Sequence, residues 1–258
     1  MTVSVIVTTY NWPSALELVL QSLHQQNIRP DQVLIADDGS GVDTANLIQS
    51  WHAKWPAVHH VWQPDDGFRA GEARNRAIAA ATGDWLVMID GDCICPPDFI
   101  EHHLELAASE VLVAGNRLLL NPQQTKKALE SSNVDVALAQ VVSHRKLRRL
   151  ALGFLRDLFP KRWQAVRTCN LGVARATSLS IMGFDETYQG WGKEDSDFAA
   201  RCIHAGARIR LGQFACTVIH LHHDEESRDR LSRNQGKLDR VLQLRAIEPE
   251  KSLLKDDQ

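Results

Sequence analysis

The chain lacks the features that would place it in a membrane or outside the cell. No stretch approaches the roughly 20 consecutive apolar residues that a helix needs to span a bilayer. The opening residues, Met1 to Ser4, lead into an apolar run without the basic segment that begins a secretory signal. The five cysteines are odd in number and scattered, which favours reduced thiols over a disulfide framework. We therefore expect a cytoplasmic protein.

The chain also has little net charge and no repeated or low-complexity segment. A formal net charge of -3 argues against a protein whose main task is to bind nucleic acid. With 258 residues, of which 44% are hydrophobic and 24% charged, the chain can bury a full core. One continuous globular domain is the simplest expectation.

Short apolar runs alternate with helical patterns through the first half of the chain. The runs predict strands at 3–8, 33–36, 58–62 and 85–89. The helical patterns between them cover 13–26, 43–55 and 70–81. Because strands separated by helices of this length form parallel sheets, we predict an α/β fold with a mostly parallel, Rossmann-like sheet flanked by helices.

The pattern loosens in the second half. It predicts helices at 98–108, 123–142 and 194–205, and strands at 111–115, 166–174 and 216–220. The last stretch, 225–258, is highly charged and predicts a helix followed by a frayed tail.

Polar residues follow three of the predicted strands, at 8–11, 37–40 and 90–92. Ligands of open parallel sheets bind beyond the carboxyl ends of the strands, so these residues should meet at one edge. Asp90-Gly91-Asp92 offers two carboxylates around a glycine, and magnesium or manganese commonly binds between such carboxylates and substrate phosphates. Turn formation favours the same residues, so both interpretations stay open here.

Four ordered motifs in residues 1 to about 110 resemble the inverting family 2 glycosyltransferases of the GT-A fold. The motifs are Thr8-Thr9-Tyr10-Asn11, Asp37-Asp38-Gly39-Ser40, Gly71-Glu72-Ala73-Arg74-Asn75 and Asp90-Gly91-Asp92. The resemblance implies a nucleotide-sugar pocket lined by Thr8, Tyr10, Asp38, Arg69 and Asp90. It also implies that Asp38 accepts the uracil N–H, that Arg69 approaches the base or diphosphate, and that Asp92 binds the metal.

A second segment, 190–198, places a tryptophan and three acids at the start of a predicted helix. Acids at a helix start also compensate the helix dipole. The segment is similar to the acceptor-side motif of galactosyltransferase-like C-terminal regions and chondroitin-polymerase-type bacterial enzymes. That similarity implies that Asp195 is the general base, that Glu194 contacts a sugar and that Trp191 forms part of the sugar-binding wall. Asn170 is expected beside the donor sugar.

Histidines cluster at His220, His222 and His223, directly after an apolar strand. If the strand continued, His220 and His222 would point to one face and His223 to the other. The family resemblance implies that His220 completes the Mn2+ or Mg2+ site begun by Asp92. His222 is the alternative ligand, and His223 is expected behind the ligands.

Residues 145–163 interleave seven cations with leucine and aromatic residues. Such a segment can rest on anionic lipid, which would suit a lipid-linked acceptor and a peripheral position on the inner membrane. A solvated helix or a lid over the donor site is the alternative interpretation.

The resemblance as a whole implies metal-dependent, inverting transfer of a hexose or N-acetylhexosamine from a UDP-sugar to a saccharide or glycolipid acceptor. Bacterial polysaccharide or lipopolysaccharide synthesis is the expected setting, with no nucleic acid partner. Residues 1–224 would form one GT-A domain, with 1–115 binding the nucleotide sugar and 116–224 the acceptor. A nucleotidyltransferase acting on sugar phosphates and a non-catalytic nucleotide-sugar-binding module are the alternatives. The sequence lacks the glycine-rich, lysine-bearing phosphate loop expected of a nucleotidyltransferase. A non-catalytic module would have lost the acids of the motifs, which are all present here.

Overall fold

The computed structural model describes residues 1–140, 163–213, 215–224 and 227–255. All but the last residue of the basic segment 145–163 lies outside this range. In the described part of the chain, no helix is both long and apolar enough to cross a membrane.

A seven-stranded sheet forms the centre of the protein, in the order β3-β2-β1-β4-β8-β6-β9. Its strands are β1 Val3–Thr9, β2 Gln32–Asp37, β3 Val58–Trp62, β4 Trp85–Asp90, β6 Val111–Ala114, β8 Asn170–Ala174 and β9 Arg208–Leu211. Only β8 among the described strands of this sheet runs antiparallel, against both β4 and β6. The predicted α/β fold with a mostly parallel sheet is confirmed.

Helices cover both faces of this sheet. They are α1 Pro13–His24, α2 Val42–Lys54, α3 Ala70–Ala80, α4 Phe99–Leu106, α5 Pro122–Ser131, α6 Val134–Ala139, α7 Arg175–Ser180, α8 Glu194–His204 and α9 Leu231–Leu244. Side chains of β1 alternate between the faces: Val5 and Val7 pack under α1, whereas Ile6 packs under α3. Both faces are therefore buried, which explains why the strand residues are apolar without alternation.

A second sheet of three strands, in the order β5-β10-β7, lies beside the main one. It consists of β5 Cys93–Ile94, β7 Asn116–Leu119 and β10 Thr217–His220. In the antiparallel pairing of β5 with β10, Cys93 lies opposite His220. This pairing carries the end of β10 to the acidic turn after β4.

Two predicted elements differ from the structure by several residues, and β5, β7, β9 and α7 were not predicted. The helix expected over 123–142 is broken, because Ser132 adopts a left-handed conformation with φ 47° and Asn133 begins α6 by accepting the Asp135 N–H. The strand expected over 166–174 begins only at Asn170. Residue Thr168 donates both its N–H and its hydroxyl to Asp195, so its N–H is not available to a strand ladder.

The charged C-terminal stretch forms α9, which packs against α8. Its buried Asn234 donates to the carbonyl oxygens of Gln189 and Gly192, at 3.3 and 3.0 Å. A helix in this stretch is thus confirmed, and it supports the loop that precedes α8. The predicted division of the chain at residue 224 stays a prediction.

Candidate active site

Arg74 of α3 lies at the centre of the candidate site, with its side chain 5% exposed. Its Nη2 lies 3.4 Å from Asp90 Oδ1, and its Nη1 lies 3.7 Å from both Glu194 Oε1 and Asp195 Oδ1. Its Nε donates to Thr8 Oγ1 at 3.1 Å. One guanidinium therefore joins the ends of β1 and β4 to the start of α8.

The Arg74 guanidinium also lies over the ring of Phe184, 5.5 Å from its centroid. That ring is stacked on Phe198 of α8, with 4.3 Å between the centroids. Because stacked aromatic rings and a buried guanidinium leave little freedom, the position of Arg74 is fixed by packing as well as by charge.

Two of the carboxylates around Arg74, Asp90 and Glu194, have raised pKa values. Burial raises the pKa of Asp90, and it raises the pKa of Glu194 to about 7, with Asp195 contributing to the latter. Burial alone would lower the pKa of Arg74, but Asp195, Asp90 and Glu194 together raise it. One guanidinium thus forms ion pairs with three carboxylates.

Two buried polar atoms in this group have no hydrogen-bond partner among the described residues. They are Arg74 Nη1 and Glu194 Oε2. An unmet buried donor or acceptor costs about 1–3 kcal/mol, so such atoms are commonly satisfied by a ligand. A hydroxyl-rich molecule such as a sugar fits both a carboxylate acceptor and a guanidinium donor.

Asp195 is oriented by Thr168 as well as by Arg74. The Thr168 hydroxyl donates to Oδ1 at 2.7 Å, and its backbone N–H donates to Oδ2 at 3.1 Å. The preceding turn has positive φ at Gly192 and Lys193, of 101° and 81°. This turn directs the first acids of α8 toward the cleft.

Asp92 lies beside two histidine rings and forms a candidate metal centre. Its Oδ1 is 3.5 Å from His220 Nε2, and its Oδ2 is 3.3 Å from His223 Nε2. One ligand atom from each of the three residues lies within 4.8 Å of the others. Burial lowers the pKa of His220, which favours the neutral ring that binds metals. Carboxylate oxygen and imidazole nitrogen are both ligands of divalent transition-metal ions.

The structure puts His223 rather than His222 in this group. Strand β10 ends at His220, so the alternation of a strand does not extend to the next residues. His222 donates its backbone N–H to Thr125 Oγ1 at 2.8 Å, and its ring is not part of the group. The geometry therefore favours His223 over His222 as the partner of Asp92 and His220, and the choice of ligand stays a prediction.

Asp38 lies buried at the end of β2, at the other side of the cleft. Its Oδ1 accepts from Gln63 Nε2 at 2.6 Å, and its Oδ2 accepts from the Arg69 N–H at 2.7 Å. Burial raises the pKa of Asp38. The Arg69 guanidinium donates to Glu72 Oε2 and to the carbonyl oxygen of Pro64, at 2.9 and 2.6 Å.

Tyr10 and Trp191 are partly exposed at the rim of the cleft. The Tyr10 hydroxyl donates to Asp65 Oδ2 at 2.9 Å. Trp191 is 38% exposed, and the Arg228 guanidinium lies 5.2 Å from its ring centroid. Exposed aromatic faces at a rim are available to stack on a base or a sugar.

Asn170 is buried in the core at the start of β8. Its Oδ1 accepts from His103 Nε2 at 3.0 Å, and its Nδ2 donates to the carbonyl oxygens of Asn116 and Cys216, at 2.7 and 3.0 Å. A Cβ at Gly115 would come within 2.1 Å of this side chain. The geometry thus favours a structural role for Asn170 over the predicted contact with the donor sugar.

Sequence reasoning missed Arg74 and Thr168 as site residues, and it expected His223 behind the metal ligands rather than beside Asp92. Arg74 had one usable signal, since it is a cation on the buried face of an alanine-rich helix and lies within a recognised motif. Thr168 had no such signal, because packing between separate segments brings it to Asp195.

Two family models match the chain. Residues 4–157 match glycosyl transferase family 2, and residues 157–225 match the N-terminal domain of galactosyltransferase. Together the two matches agree with the resemblance stated from the motifs.

Curated relatives include three enzymes of polysaccharide or glycoside synthesis. Hyaluronan synthase of Pasteurella multocida is 26% identical over 86% of this chain and 24% of its own length. Validoxylamine A glucosyltransferase of Streptomyces hygroscopicus subsp. limoneus is 26% identical over 78% and 48%. Chondroitin synthase of Escherichia coli is 23% identical over 80% and 33%. The chain spans less than half of the length of each of these relatives.

Two solved structures share the fold. A mannosyltransferase of Pyrobaculum calidifontis, solved with GDP-Man and Mn2+, has a TM-score of 0.58 and 20% identity, and covers 84% of this chain and 56% of that one. TarS 1-349 of S. aureus has a TM-score of 0.64 and 16% identity, over 100% and 68%. The predicted GT-A fold is confirmed.

Proposed function

Because the chain belongs to glycosyl transferase family 2, we propose that it moves a hexose or N-acetylhexosamine from a UDP-sugar to an acceptor hydroxyl, with inversion. The observation that supports the proposal is the meeting of the candidate metal centre and an Arg74-linked set of acids at one sheet edge. Such an edge is where ligands of open α/β sheets bind.

The nucleotide would lie along the ends of β1 and β2. Asp38 offers a buried carboxylate that can accept a base N–H, while Thr8 and Tyr10 border the same edge. Arg69 would approach the base or diphosphate, and Asp90 would bind the ribose. The mannosyltransferase of similar fold was solved with GDP-Man, so the choice of uracil over guanine is part of the proposal.

Asp92 and His220, joined by His223, would hold Mn2+ or Mg2+. When bound there, the ion supplies positive charge that stabilises the departing diphosphate. The nitrogen donors make Mn2+ the better match of the two ions, because Mg2+ prefers oxygen ligands.

Asp195 would act as the general base. Thr168 and Arg74 hold its carboxylate in one orientation, so that it can take the proton of the acceptor hydroxyl. The hydroxyl oxygen then bonds to the anomeric carbon from the face opposite UDP, and the bond from that carbon to the diphosphate breaks. Glu194 would bind sugar hydroxyls and Trp191 would cover the apolar face of the ring.

The acceptor is proposed to be a saccharide or glycolipid of bacterial polysaccharide synthesis, reached from the cytoplasmic side. Relatives that make hyaluronan and chondroitin support a polysaccharide setting.

Peripheral membrane contact through 145–163 belongs to the same proposal. Flotation with anionic liposomes, compared with a variant in which Arg145, Lys146, Arg148 and Arg149 are alanine, tests it, and equal flotation of both proteins would reject it.

The test of the function is UDP or GDP release from a panel of UDP-hexoses, UDP-N-acetylhexosamines and GDP-Man, with Mn2+ and with a chelator. We expect release from a UDP-sugar that needs the metal and falls by about 100-fold or more in Asp195→Asn, since general base catalysis contributes about 10²–10⁴-fold. UDP binding, followed as a thermal shift, should survive in that variant.

Other outcomes would revise the proposal. Release from GDP-Man alone would reject uracil recognition. Near wild-type turnover in Asp195→Asn would reject the base. Binding of UDP without any release across the panel would favour a non-catalytic nucleotide-sugar-binding module.

A further inference from the structure

A cavity of about 360 Å3 lies at the carboxyl ends of β6 and β9, outside the groups described so far. Its polar lining comprises Arg117, Arg167, Gln164, Gln213 and Asn116, with Cys169 beside them. A volume of this size lies within the range of small-molecule sites. No acidic residue belongs to the lining among the described residues.

The cavity borders the reacting groups. Arg117 pairs with Val218 in the parallel register of β7 and β10, so it shares a sheet face with His220, two residues further on. Arg117 Nη1 donates to Cys169 Sγ at 3.8 Å, which ties it to the segment before β8. Arg167 directly precedes Thr168, the residue that holds Asp195.

The cavity lies on the side of the cleft away from the proposed nucleotide. Sheet order runs β1-β4-β8-β6, so the cavity at β6 is three strand spacings, about 14 Å, from β1. The Asp92 centre and the Arg74 group lie between the two. A molecule that reaches Asp195 from this side would therefore be the acceptor.

The lining is chemically suited to an anion. The two guanidiniums can each form paired, charge-assisted bonds to a carboxylate or phosphate. Neither has a carboxylate within 4 Å among the described residues, unlike Arg74 and Arg69. The Gln213 Oε1 atom is buried and has no hydrogen-bond partner among them. Since amide oxygen and nitrogen positions are interchangeable by a flip, Gln213 can also present its NH2 to an anion.

We propose that this cavity binds an anionic group of the acceptor, either the carboxylate of an acidic sugar or a phosphate, through Arg117 and Arg167. The proposal rests on the proposed function, because it assumes that Asp195 faces the acceptor. It narrows the acceptor from any saccharide or glycolipid to one that carries a negative charge next to the reacting sugar.

The test measures binding without turnover, so that its result is separate from that of the glycosyl transfer assay. Methyl β-glucuronide, inorganic phosphate and the neutral methyl β-glucoside are titrated into the full chain by calorimetry or ligand-observed NMR. We expect at least one of the two anions to bind about tenfold or more tightly than the neutral glucoside. The double variant Arg117→Gln/Arg167→Gln should lose that preference, and Arg117→Lys/Arg167→Lys should keep part of it.

Arg29→Gln is the matched control, because Arg29 is exposed and lies outside the cavity. It should bind all three probes like the wild type. The thermal midpoints of all variants show whether each is folded. Preference for the glucuronide points to an acidic sugar, and preference for phosphate points to a phosphorylated acceptor.

Three results would overturn the proposal. The first is that the neutral glucoside binds as tightly as both anions. The second is that the double glutamine variant keeps the anion preference. The third is that UDP with Mn2+ competes with the anion. The last result would assign the cavity to the donor. Failure of the chain to release UDP from any donor would leave these binding results unchanged, and would count against the proposed function only.

Discussion

The two sides of the cleft are built differently. On the side proposed to bind the nucleotide, called the nucleotide side, the polar residues follow β1, β2 and β4 directly, within the first 92 residues. On the side proposed to bind the acceptor, called the acceptor side, they come from distant segments, which are the 163–169 stretch, the turn before α8 and the end of β10. The first side depends on where strands end, and the second on buried polar contacts between remote parts of the chain.

This difference has a physical consequence. A residue at a strand end is positioned by the sheet ladder, which many hydrogen bonds share. A residue such as Asp195 is positioned by two or three specific contacts, chiefly from Thr168 and Arg74. A substitution in one of these contacts should therefore displace the side chain that it holds. A substitution of a single residue on the nucleotide side should displace its neighbours less.

The largest expected effect comes from removing the contact that joins the two sides. Arg74→Gln removes a buried cation from one buried and two partly buried carboxylates, and breaking such a group costs about 3–5 kcal/mol. Urea denaturation should show this loss in the free energy of unfolding. Arg76→Gln, on the same helix, breaks only a partly exposed pair with Glu72 and should cost less than about 1 kcal/mol. Equal losses in the two variants would contradict a central role for Arg74.

A pH effect of about 3 kcal/mol on stability is expected from His103, which lies in the core. Burial lowers the pKa of His103 to about 4, and its Nε2–H donates to Asn170. Between pH 6.5 and 4 the unfolded chain binds a proton that the folded chain does not, so the stability present above pH 6.5 is lost as the pH falls. His103→Gln should reduce the slope of stability against pH by about one proton in this window.

Urea denaturation at several pH values measures that slope. His59→Gln, which changes an exposed histidine, is the control and should follow the wild type. If the His103 variant keeps the full slope, the loss of stability in acid has another source, such as the carboxylates near Arg74.

The candidate metal centre lies where the two sides of the cleft meet, and histidine variants test which residues form it. His220→Asn and His223→Asn should each weaken Mn2+ binding by about tenfold or more, because each removes or disturbs a ligand. His222→Asn should bind Mn2+ like the wild type, since its ring lies outside the group. Calorimetric titration with Mn2+ measures all three. If His222→Asn weakened Mn2+ binding as much as His223→Asn, His222 would be supported as the alternative ligand.

A smaller effect is expected from Thr168, which touches only the proposed base. Thr168→Val removes the hydroxyl bond to Asp195 Oδ1 and keeps the backbone bond to Oδ2. A hydrogen bond to a charged group contributes about 1.5–3 kcal/mol, so kcat should fall by about tenfold or more while the KM for the donor changes little. Thr168→Ser should restore most of the rate. A rise in donor KM alone would place Thr168 on the nucleotide side instead.

Local patterns were sufficient to predict most of the fold. Buried strands such as Val3–Thr9 read as apolar runs, and the helices between them carry their own spacing and end signals. The predicted strand at 166–174 was too long because Thr168 satisfies its N–H with a side chain from α8, and no local pattern reports such a contact.

The site divides in the same way. The acids at the ends of β2 and β4 and at the start of α8 stand in motifs, so the sequence by itself identified these candidate groups and the family that they resemble. Only the tertiary structure decided how they are joined: Arg74 among Asp90, Glu194 and Asp195, and His223 rather than His222 beside Asp92. Motifs mark the ends of local elements, whereas pairs such as Arg74 with Asp195 and Asp92 with His223 depend on packing between segments more than a hundred residues apart.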